Sequence, residues 1–156
     1  MIWALDELLP HRAPMMLIDG VESFDPERRA LTATVLIGSN QLLFSPSLGG
    51  VPNWVAIEYM AQTSAALAGC FDKTVAPGQP ARPGLLLGTR KLELNLEMFE
   101  AWRTYRITSV NAFQDSDAAA FECSIADEAG NVVATATLNA YRPPNLENFL
   151  REQAAT

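Results

Sequence analysis

The sequence predicts an α+β domain in which a curved antiparallel sheet wraps one long helix. Three observations lead there. VPNWVAIEYMAQTSAALAGC, from Val51 to Cys70, is apolar on nearly every side at helical spacing, and a helix of that kind is buried all round. Two strand-like segments precede it. Four more follow it, joined by loops and short turns as in an antiparallel meander.

The elements follow in order. ALDELL (4–9) reads as a short helix stopped by Pro10. MMLIDGVESFD (15–25) reads as a first strand, and Asp25-Pro26-Glu27 supplies turn residues. RRALTATVLIG (28–38) alternates: Leu31, Ala33, Val35 and Ile37 share one face, Thr32 and Thr34 the other, as in a half-buried strand. NQLLFSPSLGGVP (40–52) is a loop rich in Ser, Gly and Pro. The long helix spans 52–71, with Pro52 suited to its first turn. A second Pro/Gly-rich loop occupies 72–84. Strands are expected at 85–98, 103–113, 119–127 and 132–142, with hairpin turns at Asp115-Ser116-Asp117 and Glu128-Ala129-Gly130-Asn131. In the tail, Asn145 can cap a short helix with Leu146, Phe149 and Leu150 as its stripe. Residues 1–156 read as a single domain, with 1–13 a helix and turn and 144–156 a tail helix.

Composition narrows the function. Apolar residues make up 49% and charged residues 19%, which fits a folded soluble protein. A net charge of -7 argues against nucleic acid and against anionic membranes as partners. The longest apolar run, around 54–71, is broken by Glu58, Gln62, Thr63 and Ser64, short of the roughly 20 apolar residues that a membrane span needs. The first residues, MIWALDELLPHR, carry early acids and no basic region, unlike a signal peptide, so cytoplasm is the expected location. Cys70 and Cys123 stand in different elements, which suits a reducing compartment. With one histidine and no CxxC or HxxxH spacing, no metal is expected, and no other cofactor.

Glu58 stands out because an unpaired carboxylate inside an apolar helix is costly. Either it is paired, with Arg90 or Arg106 for example, or it is neutral, or it faces a cavity that something else enters. Gln62 is four residues on and shares its face of the helix.

LLPHRAPMMLIDGV (8–21) closely resembles the opening of the 3-hydroxyacyl-[acyl-carrier-protein] dehydratases of the FabZ/FabA type, which have the hotdog fold. VPNWVAIEYMAQT resembles their helix, with its acidic residue before AMAQ, and LLLGTRKLELN resembles the strand that lines their substrate tunnel. The resemblance covers about residues 5–142. It implies loss of water from 3-hydroxyacyl thioesters on acyl-carrier protein or coenzyme A, in fatty-acid or polyene biosynthesis. By position it makes Glu58 the acid that protonates the departing hydroxyl. Asn53, Trp54, Gln62 and Gly88 become substrate-binding candidates. Asn53 stands where the family has glycine, so a Cβ now occupies a site of close backbone approach. The N-terminus of the helix would offer N–H groups to the thioester carbonyl.

The family's base is a histidine in a GHFPG stretch. The corresponding segment here, LLFSPSLGG around Phe44, has none, and Ser45 or Ser47 is a poor base without a partner. His11, the lone imidazole, is chiefly structural in the family's opening motif and is the remaining in-chain candidate. The combination of PHRAPM and EYMAQT without GHFPG resembles the ApeP-like dehydratases of aryl-polyene pathways, where a second hotdog dehydratase accompanies the chain. The resemblance then implies a shared site, with the histidine supplied by that partner in a heterodimer. A homodimer is the expected form of the chain by itself. Two other readings stay open: a non-catalytic subunit that stabilises a histidine-bearing enzyme, and a hotdog thioesterase whose helical carboxylate activates water. Arg82, Arg90, Lys91 and Arg103 are candidates for a basic patch facing acidic carriers. Trp3, Trp54, Trp102, Met15 and Met16 are expected in core or interface packing, and Cys70 as an inert buried thiol.

Overall fold

A computed structural model describes residues 3–155. Met1, Ile2 and Thr156, which the single-domain reading included, lie outside the described residues. The elements are α1 (Leu5–Leu8), β1 (Gly20–Asp25), β2 (Ala30–Leu36), β3 (Gly50–Pro52), a 3-10 turn (Asn53–Val55), α2 (Ala56–Val75), β4 (Leu85–Leu94), β5 (Met98–Glu100), β6 (Thr104–Asp115), β7 (Ala118–Ala126), β8 (Val132–Tyr141) and α3 (Leu146–Ala154). Six strands form one antiparallel sheet in the order β1-β2-β6-β7-β8-β4, and β3 pairs with β5 beside it. The sheet carries α2 on its inner face, which is the hotdog arrangement.

The alternation of β2 is what seats the helix. Leu31, Ala33 and Val35 point inward and are fully buried, while Thr32 meets Thr108 of β6 at 3.0 Å. Ile107, Ile125, Ala134 and Leu138 continue the inner face across β6, β7 and β8. Against it α2 buries Tyr59, Met60, Leu67 and Cys70. Its polar residues are satisfied locally: Thr63 Oγ1 donates to the Tyr59 carbonyl and Ser64 Oγ to that of Met60, each at 2.8 Å. Tyr59, Phe99 and Tyr105 close the helix start with edge-to-face contacts at 5.2 and 5.0 Å.

Several boundaries differ from the sequence reading. Residues 15–19 lie outside the strand: Gln62 holds Met15 and Leu17, as described below, and the Asp19 amide donates to the Thr34 carbonyl at 2.8 Å. The helix begins at Ala56, after the 3-10 turn, and runs on to Val75. Asp72, Lys73 and Thr74 read as part of the Pro/Gly-rich loop, but they belong to the last turn of the helix, where Asp72 binds Arg142 at 2.5 and 2.9 Å. The strand expected over 85–98 ends at Leu94, and Met98–Glu100 turns back to pair with Gly50–Pro52. That pairing demands glycine: a Cβ at Gly50 would stand 2.1 Å from the Phe99 carbonyl oxygen.

Trp54, Trp102 and Met15 are not core. They are 58, 67 and 50% exposed, whereas Trp3 and Met16 pack against the core. β4 pairs only with β8 and ends the sheet, presenting Leu86, Leu87 and Leu92 to the outside. Among the described residues no helix is long and apolar enough to cross a membrane.

Candidate active site

The helix is not covered on every side, contrary to the expectation from its composition. Glu58, Ala61, Ala65 and Ala68 form a stripe at helical spacing, and this stripe faces a cavity of about 370 Å³. Alanines are too short to close the distance to the sheet, so the gap stays open. Phe121, Leu138 and Ala140 supply the opposite wall, with Leu85 and Leu86 of β4 at one side. From Glu58 to Ala68 the stripe advances ten residues, about 15 Å along the helix. The cavity is therefore long, apolar in its middle, and marked by a carboxylate at one end.

Glu58 is half-buried and has no arginine partner among the described residues. Arg106, one proposed counter-ion, is paired instead with Glu22 at 2.9 Å, and Arg90 is exposed on β4. Glu58 is held by Gln62, whose Nε2 donates to its Oε1 at 3.1 Å. Gln62 is fully buried and its amide is shared out completely. Nε2 also donates to the Met15 carbonyl at 2.7 Å, and Oε1 accepts from the Leu17 amide at 2.8 Å. Its work is to tie the 15–17 segment to the helix and to orient Glu58. With every polar atom so engaged, Gln62 positions the acid rather than touching a ligand.

The other candidates fall elsewhere. Asn53 donates through Nδ2 to the Leu96 carbonyl at 3.0 Å, which ties the helix start to the β4–β5 connection. Trp54 lies on the surface. Gly88 lies in β4 opposite Asn139, outside the cavity lining, and a Cβ there meets nothing within 4 Å. His11 does line the cavity, as Glu58 does. A Cβ at Gly69 would meet the Leu8 carbonyl, while Met15 and Leu17 bond Gln62. The segment between them thus runs against α2 in the opposite sense, with a turn closed by the Met15 amide on the Arg12 carbonyl at 2.8 Å beside His11. Its Nδ1 is enclosed without a hydrogen-bond partner, so no carboxylate orients the ring as a base. Sequence reasoning missed the alanine stripe and the mouth residues Gln114 and Ser116. The spacing 58-61-65-68 was the available signal.

Other reactive groups are silent. Burial pushes the Cys70 thiol up to about 11 and raises that of Cys123, which also meets Ser64 at 3.4 Å. Burial, with the charge of Asp19, raises Tyr59 well above the ordinary phenol range. Ser45 and Ser47 bond each other at 3.2 Å on the surface, with no base. Among the described residues no group of His, Cys, Asp and Glu could hold a metal. The four candidate basic residues do not share one patch: Arg103 sits among Glu97, Glu100, Asp127 and Glu128 and pairs with Glu100 at 3.3 Å.

The profile of the ApeP-like family, described as ApeP dehydratase, matches residues 3–151. The chain belongs to the ApeP-like family. It is also similar to the 3-hydroxyacyl-[acyl-carrier-protein] dehydratase FabZ of Vibrio atlanticus, 39% identical over 70 residues, which are 43% of this chain and 46% of that one. FabZ of Chlamydia pneumoniae is 33% identical over 88 residues, 54% of this chain and 56% of the relative. The chain thus spans about half the length of these curated relatives. Among solved structures, the dehydratase heterocomplex ApeI:P from Xenorhabdus doucetiae matches with a TM-score of 0.86 and 27% identity, covering 97% of both chains.

Proposed function

We propose that this chain is one subunit of a dehydratase that removes water from 3-hydroxyacyl thioesters carried on acyl-carrier protein or coenzyme A, in the cytoplasm, in fatty-acid or polyene biosynthesis. The observation that carries this reading is the placement of Glu58: a carboxyl without a cation partner, held by Gln62, at one end of a long apolar cavity. Such a cavity suits an acyl chain, and the carboxyl suits a hydroxyl near the chain's thioester end.

The chemistry divides between two groups. A base removes the proton from the carbon next to the thioester carbonyl. The developing negative charge on that carbonyl is stabilised by backbone N–H groups of the turn at Asn53–Val55, the N-terminal end of the rod. The carboxyl of Glu58 gives its proton to the 3-hydroxyl, which leaves as water as the double bond forms.

The base comes from a second chain. Phe44, where the related dehydratases carry their histidine, packs against the core, and the Nδ1 of His11 has no hydrogen-bond partner to orient the ring as a base. The similar ApeI:P assembly is a heterocomplex, which favours a histidine-bearing hotdog dehydratase as the partner here. β4 offers the docking edge: its outer side is unpaired, and Leu86, Leu87 and Leu92 are exposed.

Reconstitution tests the reading. The purified chain and a histidine-bearing hotdog dehydratase encoded beside it are assayed separately and mixed, on a 3-hydroxyacyl thioester. Water loss should appear, or rise strongly, only in the mixture, and should vanish when the partner's histidine is replaced. Full activity of the partner alone, unchanged on mixing, would make this chain a scaffold. Release of free thiol by this chain alone would make it a thioesterase.

A further inference from the structure

The open edge of β4 is interrupted near its middle. The pairing of β4 with β8 slips between Arg90 and Glu93, which leaves a bulge at Lys91 and Leu92. Lys91 takes a left-handed backbone, with φ at 53°, an uncommon conformation for a residue with a long side chain. A bulge bends an edge strand and tightens its twist. The side chains at this place are cationic. Arg90 and Lys91 are both exposed and have no ion pair or hydrogen bond among the described residues. In a chain of net charge -7, two adjacent cations without partners are a local exception. Leu86 and Leu87 lie exposed on one side of them and Leu92 on the other. The edge is therefore apolar enough to need cover, yet charged at its centre. Bulges and charges of this kind keep an edge strand from pairing with another like itself.

We propose that β4 selects a different chain over a second copy of itself, and that the facing strand of that chain carries carboxylates opposite Arg90 and Lys91. This rests on the reading that the base comes from a second chain, and it adds the chemistry of that chain's edge. Self-pairing joins two copies of β4 antiparallel about a two-fold axis. The longest ladder puts that axis at the middle of the strand, between Thr89 and Arg90. Arg90 of one copy then lies opposite Thr89 of the other and diagonal to its Lys91, and the two-fold repeats the contact. Four cations meet at the centre of the interface, and like charges on neighbouring strands oppose pairing. Glu93 gives no relief, because it falls further along, opposite the Leu86–Leu87 pair. Sliding the copies toward Leu86 parts the cations but gives up the ladder beyond Arg90, and Leu92 with it. A strand with Asp or Glu at the central places makes the same contacts attractive, keeps the whole ladder and covers the leucines.

Sedimentation equilibrium tests this, on the chain alone and mixed with the histidine-bearing hotdog dehydratase encoded beside it, at low and high salt. Self-association should be weak and should tighten as salt rises, whereas the mixed pair should be tighter and should loosen with salt. Lys91→Glu lets each Arg90 meet a carboxylate of the second copy. It should tighten self-association roughly three- to tenfold and loosen the mixed pair by a similar factor. Arg90→Glu, at a ladder-paired position outside the bulge, should act in the same direction. Arg28→Glu makes the same change in net charge on the β1–β2 turn, at the opposite end of the sheet, and should leave both equilibria within about twofold. Tight, salt-independent self-association that both edge variants leave unchanged would overturn the proposal, and so would a mixed pair indifferent to both. A dehydratase that does not bind, or a pair that binds without turnover, counts against the proposed function. The response of self-association to Lys91→Glu then still decides for or against the edge.

Discussion

The two sides of α2 are built from similar apolar residues and end in opposite states. On one side Tyr59, Met60, Thr63, Leu67 and Cys70 meet the sheet and the N-terminal segment without a gap, and all are essentially inaccessible. Gly69 lets the Leu8 backbone come so close that a Cβ would stand 2.5 Å from its carbonyl oxygen. On the other side Ala61, Ala65 and Ala68 stop short of Phe121 and Leu138, and about 370 Å³ stays open. Size makes the difference, not polarity. Long side chains convert the helix into core, and short ones leave it as the wall of a cavity. Gln62 sits between the two sides and serves both, fastening the N-terminal segment while holding Glu58 toward the open one.

The contrast can be broken most severely at that joint. Gln62→Leu keeps the volume and removes three hydrogen bonds, stranding the Leu17 amide and the Met15 carbonyl. The expected loss is about 3–5 kcal/mol in urea unfolding. A loss under 1 kcal/mol would mean that the amide is not the joint. Gly69→Ala attacks the sealed side alone. The new methyl must push Leu8 and α1 away, at a cost of about 1–3 kcal/mol, read as a lower unfolding midpoint. The same kind of enlargement on the open side should behave differently. Ala65→Leu grows into empty space, so stability should change by less than about 1 kcal/mol, while binding of long-chain acyl thioesters weakens. If it destabilises as Gly69→Ala does, the cavity is not open in solution.

The smallest effect concerns the thiols. Cys70 and Cys123 are buried, and both are raised by burial. Neither should react with iodoacetamide at pH 8 in the folded protein, and both should react in urea. Folding holds Cys70 as the neutral thiol, its pKa moved from 9.0 to about 11. That contribution to stability is complete below pH 9 and fades as pH rises through about 11. Denaturation midpoints measured from pH 8 upward check the sign.

Much of this was readable before any coordinates. The alternation of Leu31, Ala33 and Val35 marked the inner face of the sheet, and the Asp127–Asn131 turn was marked by its Gly and Asn. The four-residue spacing of Glu58 and Gln62 announced their contact, because neighbouring turns of a helix bring such pairs together. The cavity was hidden for a physical reason: periodicity reports that alanine is apolar and does not report what stands opposite it. β3 and β5 were hidden because each is three residues long, too short for alternation to show. Trp54 and Trp102 were expected in core or interface packing, and the single chain leaves them exposed, which removes the core alternative. His11 was legible as the lone imidazole, but its distance from Glu58 depends on how residues 8–17 lie along the helix.

Glu58→Gln in the reconstituted pair tests the central claim most directly. The amide has the same shape and can keep the contact with Gln62, so the fold, the unfolding midpoint and thioester binding should stay as they are. It has no proton to give to the departing hydroxyl, and turnover should fall about 10²–10⁴-fold. Turnover within twofold of the unaltered pair, with binding intact, would show that the proton reaches the leaving oxygen from another group and that this cavity does not do the chemistry.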